Sequence, residues 1–257
     1  MLLGWQQTAP AGTCERPSAA EPVQVRYVND GDTLVLANNR KIRLIGINSP
    51  EAQQDGRPAQ ALAIEARDRL RRLLFEQGNK AHLVYGADDR DRHGRYLAHL
   101  WLADGRNLSA EMLRAGLGWA VAIPPNTRFL DCYLESEQSA RAAARGVWGH
   151  PDHVVRTSTQ LKLRSSGFQL VEGRVVRVNH GGGATWVNLE GRFAVRIPDE
   201  DLRWFRRPPD SSWTGKQVQV RGWLYAVRGE VRVTVRHPAA LELQANGVAD
   251  PKPVNRP

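Results

Sequence analysis

VQVRYVNDGDTLVLANNRKIRLIGIN, residues 23–48, is the stretch on which the fold turns. Its β-branched and alternating runs, VQVRYVN and DTLVLA, flank Asp30-Gly31, a dipeptide that supplies the positive backbone angles of a tight hairpin. Asn38-Asn39 marks the next turn and leads into KIRLIGIN. Three consecutive strands joined by short turns form a meander.

Working outward, Pro58 opens a segment with Leu62, Ala66, Leu70, Leu73 and Leu74 at helical spacing, ending before Gly78. Glu65/Arg69 and Asp68/Arg72 stand four apart on its outer face and predict ion pairs there. Strands follow at 81–86 and 95–103, separated by the charged loop ADDRDRHG, then helices over about Ser109–Ala115 and Asn126–Arg145. Pro124-Pro125 leads into the second of these helices, and Gly146 stops it. Three strands, a helix and two strands are the order of a five-stranded Greek-key barrel of the oligonucleotide-binding type. The fold class expected is therefore mainly β with helices (α+β): one such barrel with C-terminal helices, plus a second, smaller barrel of the same type. The second follows because strand-like runs recur after residue 166 in the same order, with a short helix at about Glu200–Phe205. The expected organisation is a tail over 1–21, a first domain at 22–149, a linker at 150–166, a basic barrel at 167–245 and a disordered tail at 246–257.

A length of 257 residues suits two domains, each able to bury a core. With 41% hydrophobic and 25% charged residues, collagen-like and wholly disordered chains are excluded. The longest apolar runs, near 97–103 and 117–123, are too short for a membrane-spanning helix. The net charge of +9 is unevenly placed. Residues 1–150 hold 19 basic against 17 acidic side chains, and residues 151–257 hold 17 against 10, so +7 of the excess belongs to the second part. Of the 36 basic residues 31 are Arg, whose planar fork suits phosphate and base stacking; a merely solvated surface is the competing account.

Cys14 and Cys132 have no ligand-like spacing around them, which argues against structural zinc. Paired, they would close a loop of 118 residues and remove about 4–5 kcal/mol of unfolded-state entropy, in an oxidising compartment; unpaired, they are two independent thiols. The opening MLLGWQQTAPAGTC has no basic start, but its Leu pair followed by small residues looks like the end of a secretory signal. An extracytoplasmic location, periplasmic or secreted, is the expectation.

Three short segments carry chemistry together: Asp30-Gly31-Asp32-Thr33, Arg43-Leu-Ile-Gly-Ile-Asn48-Ser49-Pro50-Glu51, and Asp91-Arg-His-Gly94-Arg95. Singly, a turn of this kind usually only turns the chain, and Glu51 with Arg95 would be a surface ion pair. In this order, over residues 23–149 and including the last helix with its Gly146-Val-Trp148 ending, the chain resembles the thermonuclease, or staphylococcal nuclease, family. The resemblance implies a Ca2+-dependent nuclease acting on DNA and RNA with loose sequence preference and leaving 3′-phosphates. It assigns Asp32 to the calcium site together with the backbone carbonyl of Ser49, Arg43 and Arg95 to the phosphate, and Glu51 to activation of water. Chemically, two guanidiniums and a divalent cation meet the negative charge that develops as a phosphodiester is cleaved, and a carboxylate can take the proton of the attacking water.

Two departures from the family pattern stand out. Asn48 occupies the place of a second metal carboxylate; its amide oxygen can ligate but carries no formal charge, so weaker calcium binding is expected. In place of the tyrosines that stack the base, GLGWAVAIPPN offers Trp119 alone. In the second domain no catalytic set is found. His180-Gly-Gly-Gly183 reads as a hairpin rather than an oxyanion loop, since no G-x-S-x-G turn accompanies it. Trp186, Trp204, Trp213 and Trp223 are core or base-stacking candidates, interleaved with Arg174, Arg177, Arg192, Arg196, Arg221 and Arg232. The leading expectation is a monomeric metal-dependent nuclease whose basic domain helps bind nucleic acid. The alternative is a non-catalytic nucleic-acid scaffold with a degenerate metal site.

Overall fold

A computed structural model describes residues 14–52 and 58–244, and it divides at Val154/Val155 into two units. The expectations for residues 1–13 and for the tail at 246–257 lie outside the described residues.

In the first unit the meander forms β1 (Glu21–Val28), β2 (Thr33–Leu36) and β3 (Lys41–Leu44), followed by the short β4 (Ile47–Asn48). Helix α1 (Ala63–Phe75), β5 (Lys80–Arg90), β6 (Tyr96–Leu102), α2 (Leu108–Arg114), β7 (Trp119–Ala120) and α3 (Leu130–Ala142) complete it. Five strands close a barrel in the order β1-β2-β3-β6-β5, with β3 and β6 parallel and β5 returning to pair with β1. Closure gives every barrel strand a neighbour on each side, and β2 is buried along its whole length. The leucines read as one helical face, Leu70, Leu73 and Leu74, are fully buried with Ala66. The ion pairs predicted on the opposite face differ: Asp68 meets Arg67 at 3.0 Å and Arg71 at 3.9 Å instead of Arg72.

Helix α3 is shorter than its sequence pattern. Asn126, expected in its first turn, instead turns its side-chain amide onto the backbone of Asp88, accepting at 3.1 Å and donating at 3.1 Å, so the helix begins only at Leu130. At the other end Ala144 takes a positive φ and the Arg145 N–H donates to the Ala140 carbonyl, closing the helix before Gly146. One face of α3 carries Tyr133, whose ring lies where any Cβ at Gly46 would stand, only 2.1 Å away, so position 46 admits glycine alone. The Tyr133 hydroxyl is 2.7 Å from His99 Nδ1 and accepts from Asn107, while Phe129 packs edge-on to the His99 ring.

Cys14 and Cys132 form a disulfide with a Cα–Cα distance of 5.7 Å, which settles the choice left open by the sequence. The segment before β1 is thus tied to α3 rather than loose, and the Cys14 carbonyl also accepts from the Trp101 indole at 2.7 Å. Within 150–166, read as a linker, Pro151–His153 form a 3-10 turn whose His153 ring bonds the Ala61 carbonyl of the first unit.

The second unit begins with β8 (Arg156–Thr157), pairs it in parallel with β9 (Gly167–His180), and continues through β10 (Ala184–Leu189) and β11 (Phe193–Pro198). The helix expected near 200–205 is a 3-10 turn, Asp199–Trp204, and β12 (Gln217–Val227), β13 (Glu230–Thr234) and β14 (Leu241–Leu243) follow. The strands β9-β10-β11-β13-β12 close on themselves through the β12–β9 pairing, the cyclic order of the first barrel. The core is a valine-rich cluster, including Val171, Val187, Val195, Val220 and Val233. Trp204 and Trp213, candidates for stacking, pack partly buried against it, and Arg221 is buried at 7% exposure beside Glu242, so these three leave the surface role.

Two predictions follow from this packing. Burial, with Arg128 nearby, holds the His99 imidazole at a pKa of about 4 against an unfolded value near 6.5. The neutral ring is therefore favoured by the fold: its contribution is complete above pH 6.5 and is lost as pH falls toward 4, by about 3 kcal/mol in all. Urea midpoints measured from pH 7.5 to 4 should fall more steeply for the wild type than for His99→Gln. Replacing both Cys14 and Cys132 by Ala should lower unfolding free energy by about 4 kcal/mol in the same assay, with the reduced wild type behaving alike.

Candidate active site

The hairpin between β1 and β2 is built around Asp30, whose Oδ1 accepts the Asp32 N–H at 3.0 Å. Gly31 lies so close to the layer beneath it that a Cβ would stand 2.7 Å from those of both Ala66 and Ser49. The turn is thereby pressed against α1 and the segment after β4, which brings Asp32 inward to 6% exposure. There its carboxylate is saturated. Oδ2 accepts from Ser49 N–H at 2.7 Å and Ser49 Oγ at 3.0 Å and pairs with Arg43 Nη2 at 3.1 Å, while Oδ1 accepts from Thr33 Oγ1 at 3.0 Å.

Arg43 faces Thr33 across the β2–β3 ladder. Its Nη1 donates to the carbonyls of Leu44 and Ile47 at 2.7 and 2.8 Å, and Nη2 lies 3.4 Å from Asn48 Oδ1, so one guanidinium shapes the turn that carries Asn48 and Ser49. Asn48 is buried, with its strand β4 paired to β7. Arg95 is reached through Thr33, whose hydroxyl accepts from Arg95 Nη1 at 3.3 Å, and Asp91 holds the other edge of that guanidinium at 2.7 Å from Nε. Burial alone would raise the Asp91 pKa, but its hydrogen bonds with Arg95 outweigh it and hold the carboxyl below the usual range.

Glu51 joins the group differently. Its backbone N–H donates to Gln60 Oε1 and its carbonyl accepts from the Gln60 N–H, each at 2.9 Å. The side chain is exposed, yet its pKa is raised, first by desolvation and then by the charge of Asp32, with Arg43 and Arg95 pulling the other way. Of the six residues singled out from the sequence, Asp32, Arg43, Asn48, Ser49 and Arg95 are joined by a chain of contacts, while Glu51 follows Ser49 by two positions and is held through its backbone alone. Trp119, the only aromatic candidate for the base, is buried at 4% exposure and packs on His153.

Sequence reading gave no role to three further residues: Thr33 as the bridge between Asp32 and Arg95, Asp91 as the support of Arg95, and Gln60 as the clamp on Glu51. Asp91 and Thr33 stand in the quoted motifs, Asp91 four residues before Arg95, but the Thr33–Arg95 contact spans 62 positions and Gln60 has no motif that points to Glu51.

Among the described residues no three His, Cys, Asp or Glu side chains form a metal-holding group. The donor set nevertheless suits a hard, oxygen-seeking cation. Asp30 is pushed well above the ordinary carboxylate range by burial and by the Asp32 charge, a crowding of negative charge that a cation would relieve. The neighbouring Asn29 Oδ1 is buried and accepts from no donor among the described residues.

The family profile described as "Staphylococcal nuclease homologue" matches residues 41–150. A "Thermonuclease" of Staphylococcus hyicus is 32% identical over 131 residues, 49% of this chain and 75% of that protein. An "Uncharacterized endonuclease" of Escherichia coli O157:H7 is 36% identical over 135 residues, 51% of this chain and 79% of that protein. "Endonuclease YncB" of Bacillus subtilis (strain 168) is 29% identical over 130 residues, 49% of this chain and 60% of that protein. The chain belongs to the staphylococcal nuclease family. It is a nuclease, a phosphodiester hydrolase, and its similarity to these relatives spans about half of the chain. In this nuclease, Gly31→Ala should force the Asp30–Asp32 turn off Ser49 and α1. Cleavage should drop at least about 10-fold, with a loss of about 1–3 kcal/mol in unfolding free energy, read by one activity assay and one urea titration.

Proposed function

We propose that the chain hydrolyses the phosphodiester backbone of DNA and RNA with a divalent cation, Ca2+ by family, and with Glu51 as the general base. The observation that carries this reading is geometric: Asp32 and Thr33 bring the Arg43 and Arg95 guanidiniums to one place, and Asp32 also holds Ser49, two residues before Glu51. The raised pKa of Glu51 makes it a better proton acceptor than a free surface carboxylate once ionised. Arg43 and Arg95, oriented by Asp32, Asn48 and Asp91, are the groups that neutralise the equatorial oxygens as charge builds. The water transfers its proton to a Glu51 oxygen as its own oxygen bonds to phosphorus and the ester bond to the leaving oxygen breaks.

Asp32, with Asn48 and the Ser49 carbonyl, would hold the cation, which when bound supplies charge stabilisation of the phosphate and acidification of water. Arg43 already competes for the same Asp32 oxygen and Asn48 contributes no charge, which supports a weak site filled only at high calcium. The basic second unit, with 17 basic against 10 acidic side chains over residues 151–257, holds the polyanion. The disulfide supports an oxidising, extracytoplasmic setting, and no described helix is long and apolar enough to cross a membrane.

Asn48 also supports the second reading, a scaffold that binds nucleic acid without cutting it. Cleavage of heat-denatured DNA with calcium, magnesium or excess chelator separates the two. The wild type should cut only with added metal, and Glu51→Gln should cut about 100- to 10,000-fold more slowly while binding the same oligonucleotide with unchanged affinity. Equal cutting in chelator would sink the metal site; undiminished cutting by the variant would sink Glu51 as base.

A further inference from the structure

The second barrel carries a feature that phosphate holding alone does not use. Its register aligns outward side chains of successive strands: Trp223 stands opposite Phe168, Tyr225 opposite Arg232, Trp186 opposite Arg196, and Asn188 opposite Arg177. Directly paired residues share a face of the sheet, as do residues two apart along a strand. The alternate residues, Leu224, Val233, Val231, Val195 and Val187, fill the core, so the aligned set faces out. Trp223 and Tyr225 are 42% and 36% exposed, unusual for large aromatic side chains on one strand.

The set is fixed rather than loose. Trp223 is met edge to face by Phe168 at 5.0 Å, and the Tyr225 hydroxyl is 3.1 Å from that of Thr234. The Trp186 indole donates to the Gly181 carbonyl at 2.9 Å, and the Arg232 guanidinium lies over its ring at 4.7 Å while also bonding Glu230. Arg196, opposite Trp186, and Arg177, opposite Asn188 farther round the barrel, have no acidic partner among the described residues. Exposed aromatic rings on the same outer surface as uncommitted guanidiniums complement a polyanion whose bases can reach the rings. Bases inside a duplex are stacked on one another and cannot; unpaired bases can.

We propose that this band is a binding face for single-stranded nucleic acid, with unpaired bases stacked on Trp223 and Tyr225 and phosphates held by Arg177 and Arg196. The inference rests on the reading that the second unit holds the substrate, and adds that it selects unpaired strands.

The test uses the full chain carrying Glu51→Gln, in chelator, with a fluorescein-labelled oligothymidylate of about 12 nucleotides and a duplex of equal length, read by anisotropy over a salt series. Adding Trp223→Ala and Tyr225→Ala should weaken oligothymidylate binding by about 10-fold or more, leave the salt slope unchanged and leave duplex binding unchanged. Adding Arg177→Ala and Arg196→Ala instead should flatten the slope by about 1.4, two phosphates at about 0.7 each. Trp223→Phe with Tyr225→Phe should keep near-parental affinity, which separates stacking from any effect on folding. Unchanged affinity in the double alanine variant, or equal losses for strand and duplex, overturns the stacking face. If the arginine pair still flattens the slope in that case, the polyanion-holding reading survives its failure. A parental protein whose affinity ignores salt refutes that reading itself, independently of whether Glu51 catalyses.

Discussion

One buried carboxylate organises the first unit's site. Asp32 collects donors from Ser49, Thr33 and Arg43, three points on separate segments, and each donor goes on to fix something else. Through Arg43 it shapes the turn after β3, through Thr33 it reaches Arg95, and through Ser49 it anchors the segment that leads to Glu51. A carboxylate and a guanidinium removed from water are costly unless fully bonded, and leaving one without the other is destabilising by about 3–5 kcal/mol. The arrangement persists because almost every lone pair and N–H involved has a partner. The same saturation limits what Asp32 can offer a cation: a metal must share an oxygen with Arg43, beside an uncharged Asn48.

How far the sequence is legible follows from the range of the interactions. The barrel was readable because Asp30-Gly31 and Asn38-Asn39 are local turn signals and the strand order leaves one common closure. The repetition of that order after residue 166 foretold the second closed barrel as well. The limits of α3 were misread because Asn126 prefers the backbone of Asp88, a partner 38 positions away, over the first helical turn. Ion pairs on α1 shifted by one residue because Asp68 has two nearer guanidiniums than the one at i+4. Thr33 ends the Asp-Gly-Asp-Thr motif but nothing local links it to Arg95, and Gln60 has no motif at all; their importance comes from what closure and the return of the chain at residue 60 put beside them. The tryptophans show the same rule. The two in 3-10 turns, Trp204 and Trp213, pack on the core, whereas the two in strands, Trp186 and Trp223, fall on the outward register, a distinction that local sequence does not carry.

The excess charge separates by unit in a way that fits a division of labour. The first unit carries nearly balanced charge, and its two proposed phosphate arginines are each tied to an acid, Arg43 to Asp32 and Arg95 to Asp91. Such pairing sacrifices raw attraction for the polyanion in exchange for fixed direction, which is what a group acting on one phosphate needs. Affinity must then come from elsewhere. Guanidiniums without acidic partners, such as Arg177 and Arg196, are free to exchange counterions for phosphates, and they lie in the unit that has no proposed catalytic set.

Glu51 is the member least determined by the rest. Nothing among the described residues grips its carboxylate; only its backbone is held, by the paired hydrogen bonds with Gln60. This suits the proton acceptor proposed for Glu51. A carboxylate bonded to Arg43 or Arg95 would have its pKa driven down and its lone pairs occupied, and would compete with the phosphate for the same donors. Fixing the main chain while leaving the side chain in the field of two arginines and one aspartate keeps the oxygen basic and available. The clamp at Gln60 thus supplies orientation without neutralising the group it orients, the complement of the treatment that Asp32 and Asp91 give to the two arginines.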